Sequence, residues 1–421
     1  MSTPAQNAPK PAPLGSVLAV TFVLSIGTGS LTHGLQFIAK AAGFNQITLY
    51  ILGFTFGICY IASALFTGRV VRFLETNRKT AISPKALLIT ITLIAGLLSG
   101  TPPILKLLNQ PAEWAIWIVA SSYGLITGLL WPMVEWYLSG GRRGKALRSA
   151  AGRFNITWTS AVVAAFFMLA PVLENHPIEA LWGVVALHLL AALLMLPFPK
   201  RPPKHIAEHL ESESIDAEAS RKLLATARTL LPVSYMLGGV LGPYFPVALT
   251  RMGIDLFWQP LIAAIWLTAR IPTMLFFERW HGWHGKAWPL TLGSILLASG
   301  FIGCILTPLI PETNIAVVLL SISLALFGAA MGTIYTAAIY YAMEVGQGEI
   351  DSGAVHETLI GVGYALGPAL GIAASLAVSW KLIPDRAFTT ALIIATVLAC
   401  IALATLITAL TKPRKAPESP F

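Results

Sequence analysis

Residues 123–137 read YGLITGLLWPMVEWY, and residues 327–341 read FGAAMGTIYTAAIYY. The two align without a gap at an offset of 204 positions. Gly124 falls on Gly328, Gly128 on Gly332, Trp131 on Tyr335, Trp136 on Tyr340 and Tyr137 on Tyr341. Further on, Gly144 meets Gly348 and Ala150 meets Ala354. Each stretch belongs to an unbroken apolar run. Barrel strands are short and alternate in polarity, whereas a run of about 20 apolar residues spans a bilayer as a helix. A duplicated spanning helix predicts a membrane protein built from two related halves.

Working outward, twelve such runs are expected, at 14–38, 46–67, 86–105, 114–138, 155–173, 178–197, 230–249, 257–277, 288–309, 315–341, 357–379 and 387–410. The composition agrees. Of 421 residues, 56% are hydrophobic and 11% charged, against about 25% charged in soluble chains. That excludes an ordinary soluble enzyme, a disordered chain and a nucleic-acid binder. The net charge of +9 sits in short runs between apolar segments, as in a basic membrane protein.

With the N-terminus inside, the inside segments hold twenty-two of the 28 Lys and Arg, and the outside loops hold five. This positive-inside bias predicts a multi-pass protein of the inner or plasma membrane with both termini cytoplasmic. The fold class expected is an all-α membrane protein, with twelve transmembrane helices in two pseudo-symmetric six-helix bundles. Residues 1–13 form a Pro/Ala-rich tail without the marks of a cleavable signal. The bundles cover 14–197 and 230–410, a charged cytoplasmic linker runs over 198–229, and 411–421 is a C-terminal tail. Cys59, Cys304 and Cys400 lie in separate apolar runs with no CxxC pair, so no zinc or redox motif is indicated. No metal site and no cofactor are expected.

Twelve spans, a long central loop and short outside loops resemble the major facilitator superfamily of secondary transporters, over about Leu14 to Leu410. Local motifs carry part of the resemblance. Gly68-Arg-Val-Val-Arg-Phe-Leu-Glu-Thr-Asn-Arg78-Lys79 is similar to the family's Gly/Asp/Arg-rich loop, without its Asp and with stretched spacing. GRFNITW (152–158) is similar to the start of span five in many members. Gly363-Tyr-Ala-Leu-Gly367-Pro368-Ala-Leu-Gly371 resembles a glycine-proline motif of antiporters, displaced here from span five to span eleven. The resemblance implies that spans one, four, seven and ten line a central cavity, which selects Gln36, Trp131, Tyr235 and Tyr335.

The residues themselves add further candidates. Arg270 lies mid-span in FWQPLIAAIWLTARIPTMLFF, where a charge costs at least about 2.5–3.5 kcal/mol on insertion scales. It reads either as an anion-binding or gating residue of the cavity or as a structural arginine paired to a carboxylate. Glu135 is the one carboxylate clearly inside the first half. It reads as a proton acceptor, as the partner of Arg270, or as a solvated interfacial residue. Span one carries Ser25, Thr28, Ser30, Thr32, His33 and Gln36, a face too polar for lipid, with His33 placed near its outer end. His188 stands alone in an apolar run and reads as structural.

A cytoplasmic gate is expected from charge complementarity. The stretch after span four is basic, with Arg142, Arg143, Lys145, Arg148 and Arg153; the stretch after span ten is acidic, with Glu344, Glu349, Asp351 and Glu357. The offset of 204 aligns Lys145 with Glu349 and Arg153 with Glu357. The acidic residues of one half are expected to bridge the basic residues of the other, from 142–153 or from Arg69 and Arg72.

The function expected is a secondary active transporter moving a small solute by alternating access, with proton coupling as an option. The alternatives are a membrane enzyme acting on a lipid-linked substrate and a transporter-like sensor. An enzyme is not expected, because HExxH, DxxD, P-loop and GxSxG patterns are lacking. The expected partners are the solute, protons and the bilayer, with no nucleic acid, and the chain is expected to be a monomer.

Overall fold

The computed structural model describes residues 10–76, 82–142, 144–203, 217–344 and 350–384, together with Thr396, Ala399, Cys400 and Leu403. The described residues are helical throughout, joined by short turns. Among the described residues, ten helices are long and apolar enough to cross a membrane. They are span one (Leu14–His33), span two (Gln46–Thr76), span three (Pro84–Leu107), span four (Ala115–Ser139) and span five (Lys145–Leu173). After the shorter apolar span six (Leu181–Leu194) come span seven (Ala219–Arg251), span eight (Trp258–Arg279), span nine (Trp288–Leu309), span ten (Thr313–Ala342) and span eleven (Gly353–Ser379). The twelfth expected run, 387–410, falls outside the described residues apart from those four positions, as do residues 204–216 of the linker and the C-terminal tail.

Several helices outrun the apolar stretches that announced them. The helix of span eleven begins at Ile350, seven residues before the run read from sequence. Span two continues to Thr76, well past the expected end at 67. Apolar runs mark the part of a helix in lipid, while backbone hydrogen bonding continues into the polar margin.

A glycine-lined crossing organises each side of the molecule. A Cβ built on Gly124 or Gly128 of span four would approach the carbonyl oxygens of Phe56 or Tyr60 in span two to 2.5 Å. In span ten, a Cβ on Gly328 would collide with the Trp266 carbonyl of span eight, and one on Gly332 would lie 3.3 Å from the Arg270 carbonyl. Small residues thus let each pair of backbones meet directly. The offset of 204 seen in spans four and ten is joined here by a second one. Phe56 and Tyr60 correspond to Trp266 and Arg270 at an offset of 210. The same offset relates the ends of spans one and seven. There Gly43 (φ 95°) and Gly253 (φ 75°) occupy the left-handed position that glycine fills without a Cβ penalty. The turns close identically, Phe44 N–H to Ala39 O and Ile254 N–H to Leu249 O, both 3.0 Å.

Span eleven is wedged between spans two and seven. A Cβ on Gly57 of span two would come 2.5 Å from the Ala365 amide nitrogen, and one on Gly363 would come 2.5 Å from the Tyr235 side chain of span seven. Pro368 packs against Gly53 on one side and Gly239 on the other. The glycine-proline motif is therefore a close-packed seam. Span five meets span eight at Thr159 and Met274 (Oγ1 to Sδ 3.6 Å).

Candidate functional site

Between these seams lies a cavity of about 70 Å³, room for about two waters at ~30 Å³ each. Span one contributes Ser25, Thr28, Thr32 and His33; spans four and five contribute Trp131, Glu135 and Trp158. Tyr60, Tyr235, Tyr335, Glu357 and Tyr364 complete most of the wall. Rings therefore dominate it, with a few polar groups set among them.

Its polar centre joins parts of the chain far apart in sequence. Tyr60 Oη donates a short hydrogen bond to Glu357 Oε2, and a carboxylate oxygen of Glu135 lies within 4.8 Å of one of Glu357. His356 stands beside the pair, with ligand-capable atoms of the three residues all within 4.8 Å of one another. Its Nε2 has no partner among the described residues.

Arg270 is 1% exposed and sits behind the wall. Its guanidinium carbon lies 4.7 Å from the ring centroid of Trp158, 5.3 Å from Tyr335 and 5.6 Å from Trp266. Desolvated cation–π contacts of this kind contribute about 2 kcal/mol or more, which offsets part of the burial cost. Its Nε and Nη2 find no hydrogen-bond partner among the described residues. Of the two readings open from sequence, pairing with Glu135 is not realised; the described ion pairs do not include Arg270.

Glu135, the candidate proton acceptor, lines the cavity, and so do Trp131, Tyr235, Tyr335 and His33 of those selected for it, His33 lying edge-on to Trp266 at 5.4 Å. Gln36 does not. It is buried against Gly53 of span two. Before it comes a π turn over Gly29–His33, where the Gly34 amide bonds to Gly29 O five residues back at 3.0 Å. The wider turn shifts the register of every residue after it relative to a regular helix. Such turns recur at functional sites.

The expected gate residues divide. Arg72 of span two pairs with Asp351 at the start of span eleven, 2.8 Å apart and about half exposed. Arg142 caps its own helix instead, donating to Leu138 O (2.6 Å) and reaching Ala12 O of the N-terminal segment. Arg69 lies over Phe66 with no carboxylate partner among the described residues. Arg153 is exposed and shows no ion pair among them, while Lys145 borders a second cavity. Glu357 is a correction: expected opposite Arg153 at the membrane surface, it is 5% exposed inside the central cavity. Because the helix starts at Ile350, residue 357 sits two turns in. Glu349 and the Glu344 side chain lie outside the described residues. His188 bridges helices, with Nε2 3.0 Å from Tyr123 Oη and Nδ1 2.8 Å from Val184 O.

Sequence reading missed Tyr60, Trp158, His356 and Tyr364. Tyr60 was marked by position, seven residues after Gly53 and three after Gly57 on the same helix face.

No family model and no curated protein sequence matches this chain. Among solved structures, the nucleoside transporter NupG aligns with a TM-score of 0.59 at 16% identity, over 95% of this chain and 99% of that one. An alanine point variant of NupG aligns with a TM-score of 0.62 at 15% identity, over 95% of this chain and all of the other. The resemblance read from sequence therefore holds for the fold: this chain is a multi-pass membrane protein that shares the fold of NupG.

Proposed function

We propose that the protein is a secondary active transporter that carries a small polar solute by alternating access and couples it to a proton held between Glu135 and Glu357. The observation that carries the reading is the close carboxyl pair inside a ring-lined cavity, with Glu135 and Glu357 drawn from remote parts of the sequence. A pair that shares one proton is neutralised without rearrangement, which suits a coupling site entered from either side. The proposed halves, 14–197 and 230–410, would rock about this centre. The positive-inside bias places both termini in the cytoplasm, and Arg72–Asp351 would belong to the cytoplasmic gate.

A cavity of about 70 Å³ has room for about two waters, and the walls must separate to admit solute. Stacking faces on Trp131, Trp158 and Tyr335, with hydroxyls of Ser25, Thr28 and Thr32, suit a flat ring carrying polar groups. A nucleoside, the solute in NupG's name, meets that description. The test is uptake of labelled nucleosides into proteoliposomes, with and without an inward-acid pH gradient. Gradient-driven uptake is expected in the native protein and lost in Glu357→Gln, with exchange at equal pH retained. Uptake indifferent to the gradient would refute the coupling, and no uptake of any nucleoside would refute the solute class.

A further inference from the structure

A second cavity, of about 360 Å³, opens at the basic end of the molecule, between the start of span five and the facing ends of spans eight and ten. Lys145 and Arg148 stand on its span-five side. Neither has a carboxylate within ion-pair distance among the described residues. The one acidic side chain in the wall, Glu278, packs over Gly152, whose added Cβ would meet its carboxyl carbon at 2.7 Å. His284 is stacked flat on Tyr340, ring centroids 4.0 Å apart. Burial, then the neighbouring charges of His281 and Arg148, brings its imidazole down to about 4, so at neutral pH the positive charge comes from Lys145 and Arg148.

Two further groups are unsatisfied. Asn155, 5% exposed, lines the cavity with Oδ1 lacking a partner among the described residues, and so does Thr336 Oγ1. Buried polar atoms are seldom left unpaired without a ligand or water to take them up. The cations ask for an anion; the Asn155 oxygen asks for a donor. A phosphate ester that also carries hydroxyl groups supplies both.

We propose that this cavity binds a hydroxyl-bearing organic phosphate, its phosphate on Lys145 and Arg148 and its hydroxyls on Asn155 and Thr336. The ligand would touch span five on one side and spans eight and ten on the other. Resting on the transporter reading above, occupancy would hold those elements together and slow the cycle. The same chemistry is offered by a soluble sugar or nucleoside phosphate and by the headgroup of phosphatidylglycerol.

Binding is tested directly, apart from transport, on the purified full chain. Adenosine monophosphate, inorganic phosphate and adenosine are titrated by calorimetry in neutral-lipid nanodiscs, then again with phosphatidylglycerol present. Adenosine monophosphate is expected to bind, and Arg148→Ala and Asn155→Asp are each expected to weaken it at least about tenfold, as loss of a charge-assisted contact does. Thermal melting of each variant confirms that it remains folded. If phosphatidylglycerol alone binds, read as protection that Arg148→Ala abolishes, the lipid is the source. Binding of neither, or binding unchanged in both variants, overturns the proposal. Failure of nucleoside uptake with phosphate binding intact would strike the transporter reading instead.

Discussion

The crossing of spans two and four and the crossing of spans eight and ten use one packing scheme for two chemistries. In each, a pair of glycines four residues apart sits on two successive turns of the partner helix. Beneath the second glycine stands Tyr60 on one side and Arg270 on the other. Both reach toward parts of the chain remote in sequence, Tyr60 to Glu357 and Arg270 to Trp158. The glycines hold the backbone geometry, which leaves the side chain beneath them free to differ. One crossing presents a neutral donor to a carboxyl pair; the other fixes a permanent cation behind aromatic rings.

The sharpest way to break the comparison is to fill the glycines. Gly328→Ala drives a methyl into the Trp266 carbonyl, and Gly128→Ala drives one to 2.5 Å from the Tyr60 carbonyl. Both are expected to abolish folded protein as seen by size-exclusion profiles. Gly332→Ala, whose methyl would lie 3.3 Å from the Arg270 carbonyl and need only a small shift of its neighbours, is expected to fold and to melt within a few degrees of the native protein. Equal damage at Gly128 and Gly332 would show that the two crossings are not packed as described.

The side chains beneath come next. Arg270→Lys is expected to lower uptake at least about tenfold, because a planar delocalised cation between rings becomes a compact, strongly hydrated one. Tyr60→Phe keeps the ring and removes one hydrogen bond, of about 0.5–1.5 kcal/mol. It should leave protein levels unchanged and shift only the pH profile of uptake. Normal uptake by Arg270→Ala at normal protein levels would remove the cation from the mechanism.

Smaller effects are expected at the ion pairs. Asp351→Arg with Arg72→Asp should restore what either change alone disturbs, each by no more than about 1 kcal/mol at this exposure. Spin-label distances between spans two and eleven would read that shift. Lys106 and Glu179 pair at 2.7 Å at the opposite end of the molecule. Burial pushes the Glu179 carboxyl up, but the Lys106 hydrogen bond and the Lys106 and His176 charges outweigh it and leave it below the usual range. Its small contribution to stability is therefore present at neutral pH and lost as pH falls through that lowered value. Lys106→Ala should remove this acid dependence and change little else.

The architecture was legible in the sequence because lipid imposes long apolar runs and because glycine pairs recur at the same spacing in spans four and ten. The site was legible only where residue type alone constrains position. Arg270 has few places to go in a membrane, and Trp131 and Tyr335 are tied by the repeat. Glu357 was misread because a charge beside an apolar run looks interfacial until the helix start is known. Gln36 was selected because the resemblance places span one in the cavity wall, and the π turn over Gly29–His33 left no mark in the sequence. Arg142 offered no sign that its own helix end would capture it.

The wide turn in span one reaches into chain length itself. One residue more than a regular helix needs is stored between Gly29 and His33. Losing a single codon there would let the helix close into ordinary turns and swing the segment beyond it by about 100°. Residues beyond the turn, Gln36 among them, would then face other neighbours. At this point in the chain, an insertion or deletion could re-equip the cavity wall without any residue being replaced.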